Sequence, residues 1–151
     1  LVSHEWLVQF ADWLAVRRVP LLASLTVDGR IERDPPMSLD DEVHAAFRAH
    51  QLWDRGFGAS PGYRAASELA DLLSARGFSV TIERTDWQIS EVDTSMLREM
   101  AHGISTAAEE AAHDGETTAD QVRVWLEERL AAIAAQSVSL KVGHIDLLAI
   151  P

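Results

Sequence analysis

Apolar residues at Val2, Trp6, Leu7, Phe10, Trp13 and Leu14 recur with a period of about 3.6, the spacing of one buried helix face. Arg17 and Arg18 suit the negative end of that helix, and Pro20 stops it. No capping residue precedes Leu1. The first backbone N–H groups then lack a local partner, so the helix is expected to begin upstream of this numbering, within a longer protein. Leu21 to Val27 reads as a strand. Asp28-Gly29 predicts a tight hairpin after it, with Ile31 on the returning arm and Pro35-Pro36 ending that arm.

Ser38, with Asp41 and Glu42 downstream, predicts the start of a second helix that places Leu39, Val43, Phe47 and Leu52 on one face. The glycine-bearing loop DRGFGASPG, Asp54 to Gly62, follows it. Ser60-Pro61 then opens a third helix through Tyr63, Ala66, Leu69, Leu72 and Leu73, which Gly77 terminates. Phe78, Val80 and Ile82 alternate as a strand does. From Ser90 to Gln136 the pattern is helical again. One stripe carries Met96, Leu97, Met100 and Ile104, another Val122, Trp125, Leu126, Leu130 and Ile133, and His113-Asp114-Gly115 separates them. The apolar run LLAI in Leu140 to Ile150 predicts a last strand covered on both faces and central in its sheet. These elements make an α/β chain whose spatial strand order departs from its sequence order.

With 151 residues, 47% of them hydrophobic, there is material for one domain or part of one. Against 24 acidic residues stand 13 basic ones, giving a formal charge of −11. That balance repels a phosphate backbone, so no nucleic-acid partner is expected, and anionic membrane surfaces are disfavoured alike. Lys141 is the only lysine, and there is no cysteine. Disulfide and thiolate chemistry are therefore excluded, which fits a reducing cytoplasm. No apolar run approaches the roughly 20 residues needed to span a bilayer. His4, Glu5 and Asp12 interrupt the stretch that a signal peptide would keep apolar. A soluble cytoplasmic protein is expected.

The His50-Gln51 pair followed by DRGFG, the strand entry RGFSV, the TDW triplet and the terminal VGHIDLLAIP together resemble the carboxy-terminal half of a class I S-adenosylmethionine-dependent methyltransferase of the bacterial small-molecule type. The resemblance covers nearly the whole chain. It implies a Rossmann-like sheet in which Leu21 to Val27 is strand five, Phe78 to Glu83 strand six and Leu140 to Ile150 strand seven. The seventh strand would be antiparallel and lie between the other two, with a helical insertion over about 90–136. The family's glycine-rich loop after strand one and its acidic ribose-binding residue have no counterpart in these residues. The amino-terminal cofactor-binding half is therefore expected to be absent, and S-adenosylmethionine to belong to the parent protein. This half would supply the wall for a small-molecule acceptor, lined by His50, Gln51, Trp53, Asp54 and Phe57, with His50 as a general base if the acceptor must lose a proton. The fragment alone is expected to be inactive. Homo-oligomerisation through the insertion or an exposed sheet edge is the expected association, and a non-catalytic interaction module is the alternative function.

Other candidates are weaker. GFGASPG follows a helix, whereas a dinucleotide loop needs a strand before it. His144 and Asp146 lie two apart on one strand face, which permits a metal or acid/base pair or a buried pair satisfied by neighbours. No third ligand is spaced to help, so no metal is expected. Trp53 and Trp87 could stack on a planar acceptor or simply pack. A nicotinamide enzyme is disfavoured, since a Tyr-Lys pair cannot be assembled from Tyr63 and Lys141.

Overall fold

A computed structural model describes residues 2–112 and 117–151. In chain order the elements are α1 (His4–Arg17), β1 (Leu21–Asp34), α2 (Asp40–His50), a short 3-10 turn (Gly62–Arg64), α3 (Ala65–Ser74), β2 (Ser79–Arg84), β3 (Trp87–Ile89), α4 (Thr94–Ala111), α5 (Ala119–Ala134) and β4 (Ser139–Ile150). The chain is mixed α/β. Its four-stranded sheet runs β1-β4-β2, and β3 also pairs with β4. β4 is antiparallel to β2, from Ser79 opposite Ile150 to Arg84 opposite Ile145, and to β3, from Trp87 opposite Val142 to Ile89 opposite Leu140. Along β1, Thr26 bonds the Ile145 carbonyl and Glu32 meets Lys141, so β4 runs against β1 as well.

Two compact units divide the residues. Unit 1 comprises Leu1–Arg30, Gln51–Asp86 and Gly143–Pro151; unit 2 comprises Ile31–His50 and Trp87–Val142. In unit 1, Leu7, Ala11 and Leu14 of α1 meet Leu69, Ala70 and Leu73 of α3, Phe78, and Leu147 and Ala149 of β4. Leu73 and Leu147 are wholly buried, each contributing about 2 kcal/mol of apolar transfer.

Three expectations for this unit change. The first helix does not run from the first residue: Ser3 caps it, its hydroxyl accepting the Trp6 N–H at 3.2 Å. Asp28-Gly29 forms no hairpin, and β1 continues through it. Gly29 takes a left-handed φ of 83° and packs against the Tyr63 ring, while Asp28 accepts the Arg30 N–H at 3.0 Å. The turn dipeptide thus sits within a continuous strand instead of reversing it. The LLAI run is covered on one face only, since Leu147 and Ala149 are buried whereas Leu148 and Ile150 are 42% and 46% exposed. β4 is central through its neighbours, not through cover on both sides.

In unit 2, α4 packs against both α2 and α5. The alanines of α4 make the close contact possible: Ala101, Ala107, Ala108 and Ala111 are all buried. Thr118 caps α5 in a reciprocal box with Gln121. The buried stripe of α5 is Val122, Trp125, Arg129 and Ile133, so an arginine occupies a place that the sequence reading gave to leucines. The expected break at His113-Asp114-Gly115 lies outside the described residues. Among the described residues no helix is long and apolar enough to cross a membrane.

Candidate functional site

Unit 2 buries a charged network whose parts come from three elements. Asp40 stands in the first turn of α2, on the same face as Val43, and is 8% exposed. Its Oδ1 accepts the Trp125 indole N–H at 2.8 Å, and its Oδ2 accepts the Met37 backbone N–H at 2.8 Å. Arg129 of α5 donates through Nη2 to the same Oδ2 and through Nη1 to the Pro35 carbonyl at 3.3 Å. Arg33, near the end of β1, places Nε 3.7 Å from Asp40 Oδ1 and its guanidinium 5.5 Å from the centre of the Trp125 ring. Burial works against the charge on Asp40, but the Met37 and Trp125 donors and Arg129 outweigh it and hold the carboxyl below its ordinary range. Burial is the main influence on Arg33, whose pKa is lowered to about 10 against the pull of Asp40.

Two guanidinium groups thus share one carboxylate, and their bonding is incomplete. Among the described residues, Arg33 Nη2 and Arg129 Nε are buried with no hydrogen-bond partner. Both arginines line a cavity of about 30 Å³ whose remaining wall is chiefly apolar, including Leu97, Ile104 and Leu140. Buried polar groups ordinarily find partners, so two such donors on residues that line a cavity make it a candidate ligand site. Sequence reading passed over all three charged residues. Arg129 follows Val122 by seven and Trp125 by four, squarely on an apolar helix stripe, and that was the available signal.

The residues expected to line an acceptor pocket are distributed differently. His50 belongs to unit 2, where Nε2 lies 2.8 Å from Glu110 Oε2. Gln51, Trp53, Asp54 and Phe57 belong to unit 1. Asp54 organises its own loop, its Oδ1 accepting the N–H groups of Gly56 and Gly58 at 2.7 and 2.9 Å. Ser60 N–H closes the loop on the Leu52 carbonyl at 3.2 Å. Trp53 lies under Arg55, with 5.5 Å from the guanidinium to the ring centre, and Phe57 is 59% exposed. Gln51 Oε1 is buried with no hydrogen-bond partner among the described residues.

Unit 1 carries a second charged group. Arg30 donates to Asp28 through Nε at 2.7 Å and to Asp86 through Nη1 and Nη2 at 3.1 and 2.7 Å. Asp86 first, then Asp28, hold the Arg30 proton more tightly than usual. Gly143 is needed beside them, because a Cβ there would lie 2.1 Å from Asp28 Oδ1. His144 is buried and its backbone N–H donates to Asp86 at 3.2 Å, while Asp146 accepts the Thr85 hydroxyl at 3.0 Å. Among the described residues no group of three or more His, Cys, Asp or Glu could hold a metal ion. No family model, no curated protein and no solved structure matches this chain.

Proposed function

We propose that this chain is the acceptor-side half of an S-adenosylmethionine-dependent methyltransferase acting on a small molecule. The observation that supports the reading is the strand order. β4, last in sequence, lies between β1 and β2 and runs against both, the arrangement that the sequence resemblance implies for strands five, seven and six. The residues in hand do not fit the cofactor. The glycine-bearing loop follows α2 instead of a strand, and its Asp54 is engaged by Gly56 and Gly58. No step is therefore assigned to cofactor binding here.

What the chain offers the reaction is an imidazole held by a carboxylate. Glu110 Oε2 lies 2.8 Å from His50 Nε2, and a carboxylate-paired imidazole is the group suited to take a proton from an acceptor hydroxyl or amine. Methyl transfer from an activated sulfonium needs positioning more than acid/base power, so removing His50 should slow the reaction without abolishing it.

The test is label transfer from methyl-tritiated S-adenosylmethionine to pooled small metabolites by the full-length gene product, with titration of S-adenosylhomocysteine alongside. Transfer with binding supports the reading. Absence of both from the full-length product overturns it. A second reading, an association module without chemistry, is favoured by the outer side of α1. There Trp6 stacks on Phe10 at 5.0 Å and Phe10 on Trp13 at 6.4 Å, and both tryptophans remain more than a third exposed. Sedimentation that shows concentration-dependent dimers, lost in Trp13→Glu, would favour that reading.

A further inference from the structure

We propose that the cavity in unit 2 is a binding site for a compact organic monoanion, a short-chain carboxylate held by the unpaired N–H groups of Arg33 and Arg129. The inference rests on charge arithmetic and geometry and does not depend on the methyl-transfer reading. Inside the unit two guanidinium side chains, 7% and 5% exposed, face the single carboxylate of Asp40. Among the described residues one positive charge is left over. Asp41, the other carboxylate acting on Arg33, is exposed to solvent. An uncompensated charge in a low-dielectric interior is costly, and a bound anion of one unit removes the cost.

The donors choose the ligand further. Among the described residues Arg33 Nη2 and Arg129 Nε have no hydrogen-bond partner, and two such N–H groups suit the two oxygens of a carboxylate. The cavity, about 30 Å³, has room for about two water molecules, which is the scale of a short acid and excludes a nucleotide or a sugar phosphate. Leu97, Ala101, Ile104, Ile133 and Val138 supply a chiefly apolar wall, with Ser139 the one polar uncharged residue in the lining, that accommodates a short tail and offers few partners to the further oxygens of phosphate or sulfate. A dianion would also overshoot the single surplus charge.

Isothermal titration of the full chain with sodium acetate and sodium propionate, at constant ionic strength and without halide, tests the site. One saturable equivalent is expected, together with a rise in the thermal midpoint. Arg33→Met leaves the Arg129 and Asp40 pair in place and should weaken binding roughly ten-fold or more, the loss of one charge-assisted hydrogen bond. Ala101→Leu keeps every charge and fills the cavity, so it should block binding as well, with circular dichroism confirming the fold of both variants. The proposal fails if the unaltered protein binds neither acid saturably, or if affinity survives in a folded Arg33→Met. It also fails if chloride or sulfate at equal ionic strength matches the carboxylates, since the effect would then be general screening.

Discussion

Unit 1 holds one arginine between two carboxylates, and unit 2 holds one carboxylate between two arginines. The two groups use the same chemistry with opposite stoichiometry. In unit 1 the Arg30 fork finds oxygen on both sides, and its side chain keeps 31% of its surface in solvent. The two carboxylates there are 18% and 13% exposed and meet on the same guanidinium. Among the described residues of unit 2 the surplus is positive and buried, and two donors have no hydrogen-bond partner. A complete ion group fastens a structure; an incomplete one in a dry place marks where something else belongs.

The comparison can be broken most directly at Asp40. Asp40→Ala leaves two enclosed guanidinium groups without an anion and is expected to cost about 3–5 kcal/mol in denaturant unfolding. A loss near zero would mean that the network is not confined as described. Next in size is Gly143→Ala. Its methyl group would lie 2.1 Å from Asp28 Oδ1 and 2.8 Å from Arg30 Cβ, and pushing that pair apart should cost about 1–3 kcal/mol. Should the variant match the parent, the Arg30 group is looser than its distances imply.

Acid sharpens the contrast by a smaller amount. The folded Asp40 carboxyl sits below its ordinary range, so its contribution is full above that range, begins to fall as pH drops into it and is lost once pH has passed the lower folded value. Thermal midpoints followed from neutral pH into acid should decline in the parent, and Asp40→Asn should flatten part of that decline. The smallest effect, about 1 kcal/mol, is expected for Ser3→Ala, which removes the cap of α1. It gives unit 1 a reference for what a single local cap bond contributes.

Much of this was legible in the residue pattern, and the failures have physical causes. Leu7 and Leu14 of α1 and Leu69 and Leu73 of α3 follow helical spacing, so their burial was readable, whereas Trp6 and Trp13, read onto the same buried face, are 38% and 46% exposed. The central place of β4 was readable too, although for an incomplete reason. Asp28-Gly29 misled because a turn signal spans two residues, whereas β1 pairs with β4 from Thr26 to Glu32 through contacts more than a hundred residues apart in sequence. β3 has three residues, too few for alternation to register. The Arg33, Asp40 and Arg129 group was passed over because charge on a helix or strand usually reads as a solvated face. Only its placement, with Arg129 on a buried stripe and Asp40 one turn before Val43, distinguishes it. In the Asp54 to Gly62 loop the residue types were suggestive, yet Asp54 turns out to serve its own backbone.

Trp125 is 1% exposed and bonded to Asp40, whereas Trp6 and Trp13 stand open to solvent and Trp53 and Trp87 are only half-buried. Its indole is therefore an optical reporter set inside unit 2. It should emit to the blue of the other four and resist quenching by acrylamide. Whatever enters beside Arg33 and Arg129 will be recorded in its fluorescence.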